Sequence, residues 1–386
     1  MNRGARWAVT GLLVAAFAGL VGYSVWGHRQ QLAIEASASG DGGAGGGSPG
    51  AVATGSVSGF VAVDVDPFFA DPRVLKILAD HGLAIHATRA GSRDMPGKLA
   101  AGAKPDFWLP SGVLAANQID DAAKQAGIAL TQAAPFNSPL VVASWTPIAR
   151  ILEANGIAHA SGERTYGLDM QKLAEAMLAK KRWTDLKGAG AYDMKRSILV
   201  STTDVRRSNS AAMYLALASQ ALNGGEVIAD HAAAKASAAR LAELFRRQGF
   251  QENYVNGNFD DYVQIGIGKA PLAFIYEYQL VGYAIAHKGI QPDMVLMYPE
   301  PTIVNKFVML AATPRGRALQ QLLATDAGLQ RIAAEFGLRG TDPAPFAEAV
   351  KPTGLAVQPR VQQVIDPPAY DLMTDMIDTV TAGMAQ

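Results

Sequence analysis

Short apolar runs alternate along most of this chain with stretches whose apolar side chains recur every third or fourth position. That pattern predicts strands followed by amphipathic helices. Phe60-Val-Ala-Val-Asp-Val predicts a buried first strand, so the folded part is expected to begin near Phe60. Asp66-Pro67 and Asp71-Pro72 each set a capping carboxylate before a proline suited to a first helical turn. Val74, Leu75, Ile77 and Leu78 then keep helical spacing up to His81-Gly82. Residues 83–88 and 106–109 read as the next strands, and 113–126 reads as the helix after the loop Pro110-Ser111-Gly112.

Further on, Phe136-Asn137-Ser138-Pro139 enters an apolar strand at 140–145, and Thr146-Pro147 opens another helix. Residues 168–179, 233–248 and 259–267 read as helices, and 271–276 as a strand whose following helix opens at Glu277. Two more strands, 294–298 and 306–311, flank Pro299-Glu300-Pro301-Thr302. Helices at 314–323 and 327–336, a proline-rich tail from Thr341 and a last helix at 369–382 complete the chain. The expected fold class is α/β, with mostly parallel sheets covered by helices on both faces.

The most informative stretch runs from Arg196 to Gly225. A short apolar strand at 197–200 is expected to pass through a polar loop into a helix carrying Met213, Leu215, Leu217 and Leu222. In open α/β sheets ligands collect at the carboxyl ends of strands, where loop side chains meet the free amides of the next helix. Thr203, Asp204, Ser208 and Asn209 supply hydrogen-bonding groups there, and Arg206 supplies charge. The alternative is that Ser208 or Asn209 only caps the helix while the arginines face water.

The amino-terminal stretch breaks the alternation. Arg3 and Arg6 precede an uncharged run over residues 7–26, and roughly 20 such residues match the hydrocarbon core of a bilayer. Positive charge on the short side keeps that end in the cytoplasm. The expected arrangement is a cytoplasmic segment 1–6, a single transmembrane anchor 7–26 in the inner membrane and a flexible Gly/Ala/Ser-rich linker 27–58. Everything beyond then lies in the periplasm or extracellular space. The linker's Gly/Ala/Ser stretch from about Ser37 to Ser58 spans about 25 Å as a random coil. Ala36-Ser37-Ala38 offers the alternative of a cleaved signal and release into the periplasm. The apolar run is longer than a usual signal core, which favours the uncleaved anchor.

Charge and composition narrow the function. Lys plus Arg and Asp plus Glu are 34 each, so no basic stripe is available for nucleic acid. The absence of cysteine removes disulfides, thiolate metal sites and a cysteine nucleophile. No Walker sequence or His-Glu-x-x-His occurs, the Gly-x-Ser-x-Gly match at residues 46–50 falls in the Gly/Ala/Ser-rich stretch rather than between a strand and a helix, and Gly266-Ile-Gly268-Lys269 is only a fragment of a dinucleotide fingerprint. Neither an enzyme nor a cofactor or metal centre is expected.

Several segments together resemble the type II periplasmic solute-binding proteins, the superfamily of ABC-importer receptors for molybdate, sulfate and phosphate. Phe136-Asn-Ser-Pro-Leu-Val-Val-Ala resembles the first crossing strand of that fold. Ser201-Thr-Thr-Asp-Val-Arg-Arg-Ser-Asn-Ser resembles its second-lobe ligand loop, and Ala270-Pro-Leu-Ala-Phe-Ile-Tyr-Glu-Tyr-Gln a segment common in the family. Tyr298-Pro-Glu-Pro-Thr with Val308-Met-Leu-Ala-Ala resembles the return crossing. Ala327-Gly-Leu-Gln-Arg-Ile-Ala-Ala-Glu-Phe-Gly-Leu-Arg339 resembles the late helix.

The resemblance spans roughly residues 58–384 and implies two lobes joined by two crossing strands, closing on a small ligand by hinge motion. Lobe I would comprise 59–140 and 303–386, and lobe II 141–302. The ligand residues it suggests are Asp64, Asp66, Ser111, Asn137, Ser138, Thr203, Asp204, Arg206, Ser208, Asn209, Tyr276, Glu277, Tyr298 and Thr302. Asp64 and Asp66 stand where the oxyanion receptors tend to have small or hydroxyl residues and would repel a dianion, so this departure from the family suits a cationic, zwitterionic or polar organic ligand. On that reading Arg206→Ala or Glu277→Ala weakens binding with little loss of fold. The implied partners are a small-molecule or ion ligand and an ABC importer permease or a membrane signalling protein. The binding domain is expected to be monomeric. A ligand-sensing or protein-binding scaffold without a transport role is the alternative.

Overall fold

The computed structural model describes residues 55–385 apart from 250, 252–254 and 288. The anchor and most of the linker therefore lie outside the described residues. Among the described residues no helix is long and apolar enough to cross a membrane.

The strands are β1 (Gly55–Ala62), β2 (Leu83–Ala90), β3 (Phe107–Leu109), β4 (Thr131–Trp145), β5 (Ala158–Gly162), β6 (Thr165–Leu168), β7 (Leu272–Tyr276), β8 (Met294–Pro299) and β9 (Val304–Ala311). The helices that cover them begin with α1 (Asp66–Ala70), α2 (Pro72–Asp80), α3 (Met95–Ala100), α4 (Val113–Gln125), α5 (Thr146–Ala154), α6 (Met170–Leu178) and α7 (Asn209–Leu222). They continue with α8 (His231–Arg246), α9 (Val255–Asp260), α10 (Glu277–Ala286), α11 (Pro314–Thr325), α12 (Ala327–Glu335), α13 (Ala344–Val350) and α14 (Tyr370–Met384).

Two half-sheets share one strand. In the first, β2, β1 and β3 are parallel neighbours, and β9 then runs antiparallel to both β3 and the start of β4. In the second, the far half of β4 lies antiparallel between β7 and β8, with β6 and β5 beyond β8. The sheets are thus mixed rather than mostly parallel, because the two crossing strands run against their neighbours. The whole of β7 and β8 is buried, as unbroken apolar runs require when both faces are covered.

Several sequence expectations shift. β1 starts at Gly55, inside the stretch expected to be linker, because Val57 alternates with small residues and is fully buried. The expected strand at 197–200 is reduced to isolated bridges, Ser197 with Arg182 and Ser201 with Ala273. Ile198 and Val200 are still buried, so its pattern is a strand's while its partners are too short for a ladder. The hairpin β5–β6 has no counterpart in the sequence reading. β5 is exposed at all but its first residue, so no apolar alternation marks it. Asp71 caps α2 by accepting from the Arg73 amide at 2.8 Å, whereas Asp66 lies inside α1 with Val65 at the cap.

The carboxyl-terminal helix departs from the expected lobe boundary. The buried face of α14, with Leu372, Met373, Met376 and Ile377, packs on α8 in the middle stretch of the chain rather than on the first half-sheet. His231 at the start of α8 meets Asp375 at 2.9 Å. A Cβ on Gly383 would lie 2.7 Å from that of Ala242. Residues 303–386 therefore do not all belong with the first half-sheet.

Candidate functional site

The carboxyl ends of β1 and β3 face the start of α7 and the junction of β7 with α10. The loop after β1 holds Asp64, and that after β3 holds Ser111 and Gly112. Ser111 is buried, and its amide donates to the Ser92 hydroxyl at 2.9 Å. From the other side comes Asn209, the first residue of α7. Its Nδ2 donates to the Tyr276 hydroxyl and to Asn305 Oδ1, both at 3.1 Å. Asn305 Nδ2 in turn donates to Ser111 Oγ at 3.1 Å. One network of neutral groups thus joins both half-sheets.

Two further bonds cross the same line. Tyr278, stacked on Tyr276 with ring centroids 5.9 Å apart, donates its hydroxyl to Asp64 Oδ1 at 3.1 Å. Arg93 donates to the Val205 carbonyl at 2.9 Å. The approach is close because Gly112 has no side chain. A Cβ there would sit 2.5 Å from Asn209 Nδ2, and its φ of +94° suits glycine.

The electrostatics of this face centre on Asp64. Loss of hydration pushes its carboxyl up to about 6, against its own backbone hydrogen bond and that of Tyr278. Asp66 is also raised by burial, with Arg89 pulling the other way. The phenols of Tyr276 and Tyr278 are raised, first by burial and then by Asp64. Beside Tyr278 opens a cavity of about 590 Å³ whose walls come from both sides, Arg73 and Phe336 on one and Phe259, Asp260 and Tyr283 on the other. Burial and the neighbouring Asp261 raise the Asp260 carboxyl.

The remaining residues suggested by the sequence take other partners. Thr203, Ser208 and Ser210 form a hydroxyl chain, with oxygens 2.8 and 3.0 Å apart, under the first turn of α7. Asp204 is buried and binds the Arg206 amide and guanidinium. Burial raises its pKa, the Arg206 bonds outweigh that, and the net shift is downward. Asn137 pairs backbone to backbone with Arg339, and Ser138 accepts from the Tyr278 amide at 3.0 Å. Thr302 donates to the Leu140 carbonyl at 2.8 Å.

Glu277 turns away from the cleft. Fully buried, it binds Arg339 at 2.6 and 2.8 Å and accepts from the Tyr298 hydroxyl at 2.5 Å. Arg339 also donates to the carbonyls of Gln358 and Pro359 and lies over the Phe346 ring, 4.4 Å from its centroid. Burial works against the Arg339 charge, but Glu277 prevails and its pKa rises. Glu277 and Tyr298 therefore tie the return crossing to the tail.

Tyr278, Asn305, Ser92 and Arg93 were not singled out from the sequence. Tyr278 could have been, since two residues after Tyr276 a second ring returns to the same side. Asn305 could also have been, as a polar residue leading into an apolar strand. Nothing local marks Ser92 or Arg93. No group of three or more His, Asp or Glu side chains able to hold a metal occurs among the described residues.

The periplasmic binding protein AfuA from Actinobacillus pleuropneumoniae, solved with fructose-6-phosphate, matches with a TM-score of 0.52 at 12% identity, over 86% of this chain and 99% of that one. Iron-bound HitA from Pseudomonas aeruginosa matches with a TM-score of 0.50 at 12% identity, over 85% and 99%. The fold is that of the type II periplasmic solute-binding proteins. No protein-family model matches the chain, and no curated protein matches its sequence.

Proposed function

We propose that this chain is an extracytoplasmic solute-binding protein that closes its two lobes on a small neutral-polar or cationic solute. It would be held at the inner membrane by residues 7–26 and hand its ligand to an ABC-type importer. The observation that carries the reading is the meeting of side chains from both half-sheets along one line, Ser111 and Asp64 against Asn209, Tyr276 and Tyr278. Neutral groups that bond one another across a closed cleft can each bond a solute in an open one. Of the arginines there, Arg206 is neutralised by Asp204, while Arg93 is tied to the Val205 carbonyl. Asp64 is held by its own backbone amide and the Tyr278 phenol, with no cation bonded to it among the described residues, which favours a ligand with a positive or donor-rich end.

Thermal unfolding of the full-length chain against sugars, amino acids, polyamines and oxyanions tests this. A solute at 100 times its dissociation constant adds about 2.7 kcal/mol, a shift of several degrees. The expected responders are polar neutral or cationic compounds, and their response should vanish in Asn209→Ala. No response from any class would turn the reading toward a protein-binding scaffold of the same fold.

A further inference from the structure

The second lobe carries another polar cavity, of about 390 Å³, that shares no lining residue with the interlobe network. It lies beside the extended segment that bridges β7 at Ser201 and Ala273. Its charge has the opposite sign to that of the cleft. Arg196, Arg247 and Lys269 line it, and of the three only Lys269 has a carboxylate partner among the described residues, Asp261 at 3.6 Å. Arg196 donates to the Tyr192 hydroxyl at 2.8 Å and Arg247 to the Met177 carbonyl at 2.6 Å. Both of those acceptors are neutral, so the guanidinium charges stay uncompensated.

The floor of the cavity has an independent feature. Gln251 is only 8% exposed, and among the described residues neither its amide oxygen nor its nitrogen has a hydrogen-bond partner. Gln248 spends its oxygen on the Thr202 amide and hydroxyl, at 2.7 and 3.1 Å, and leaves its nitrogen unpartnered. Buried amides left unpaired cost stability and call for an explanation. A ligand with an anionic head and a polar body supplies one.

We infer that this cavity binds a small anion, its phosphoryl or carboxylate group held by Arg196, Arg247 and Lys269 and its polar body by the amides of Gln248 and Gln251. Arg and Lys together suit either group, the guanidinium by paired donors and the ammonium as a point charge. The site is separate from the cleft and does not depend on what the cleft binds.

Titration calorimetry of the full-length chain with inorganic phosphate, and separately with succinate, at low ionic strength tests the site. One-site binding is expected, weakening as salt is added, and the tighter of the two anions identifies the head group. The double variant Arg196→Gln/Lys269→Gln, at two exposed positions, should weaken it at least about tenfold, and Asp64→Asn should leave it unchanged. Gln251→Leu should weaken binding without lowering the melting temperature. No binding of either anion, binding unaltered in the double variant, or binding lost in Asp64→Asn would overturn the inference, as would a Gln251→Leu variant that melts early and binds normally.

Discussion

Tyr276, Glu277 and Tyr278 are consecutive, yet they serve two regions of opposite character. Tyr276 and Tyr278 join the cross-sheet network, where every bond is single and two of them, Asn209 with Asn305 and Tyr278 with Asp64, pass from one side to the other. Glu277 joins a knot with Arg339 and Tyr298, where charges are paired and bidentate, with the carboxylate fully buried and the guanidinium largely so. The first region can exchange its partners for water or a solute at small cost. The second cannot, because an ion stripped of its partner in the interior has no replacement. Burial of polar side chains alone does not distinguish a binding face from a structural lock; the charge and multiplicity of the bonds do.

The comparison breaks most visibly at Glu277. Glu277→Ala should cost about 3 to 5 kcal/mol by leaving Arg339 buried and unpaired, read by denaturant unfolding. The combination Glu277→Met/Arg339→Met should recover much of that loss. This reverses the expectation from sequence that Glu277→Ala would spare the fold.

Gly112→Ala comes next. Its methyl would meet the Asn209 amide, and its φ of +94° with ψ of 149° costs a residue with a side chain about 1 to 3 kcal/mol. The variant should rest with its lobes apart, seen as a larger radius of gyration by small-angle scattering. Asn209→Ala should cost only about 1 kcal/mol of stability, because Tyr276 and Asn305 can turn to water when the lobes part. It should nonetheless reduce affinity for any cleft ligand about tenfold, near 1.4 kcal/mol. An Asn209→Ala stability loss as large as that of Glu277→Ala would erase the distinction between the two regions.

Asp64 sharpens it through pH. Its carboxyl keeps a proton to about pH 6 in the folded chain but loses it near 3.8 when unfolded. The unfolded state therefore binds fewer protons between those values, and stability falls as pH rises through that window. Asp64→Asn should remove the fall, so its advantage over the parent grows across the window and is constant above it. Equal pH profiles for the two would place Asp64 in ordinary solvent. Arg206→Ala takes the half-exposed partner from the buried Asp204 carboxylate, which keeps the Arg206 amide bond, so it should cost about 1 to 3 kcal/mol, with cleft affinity unchanged.

Most elements were legible because their apolar periods are clean: α4, α10, α11, α12, β7 and β8 lie within a few residues of their expected places. What stayed hidden depends on distant partners. β5 is an exposed edge whose side chains carry no pattern. α14 is amphipathic, which fixes that it must dock but not on which lobe. At the candidate site, Asn209 and Tyr276 were legible from strand ends and helix starts. From sequence Glu277 falls at the cleft because nothing local announces Arg339, 62 residues away. Arg93 lies 112 residues from Val205, beyond any local signal.

β4 runs for 15 residues, bonded to β9 in one half-sheet, with a register shift between Ala133 and Phe136, and to β7 and β8 in the other. It is one shaft through two bearings. Parting of the lobes must then be taken up as torsion along this strand and β9, with the ladder intact. Amide hydrogens over residues 140–144 should exchange with solvent equally slowly whether a solute is bound or not. Those at the head of α7, near Asn209, should slow markedly on binding. A hinge of this kind stores no broken bonds, so opening and closing can be fast while the sheet keeps its full protection.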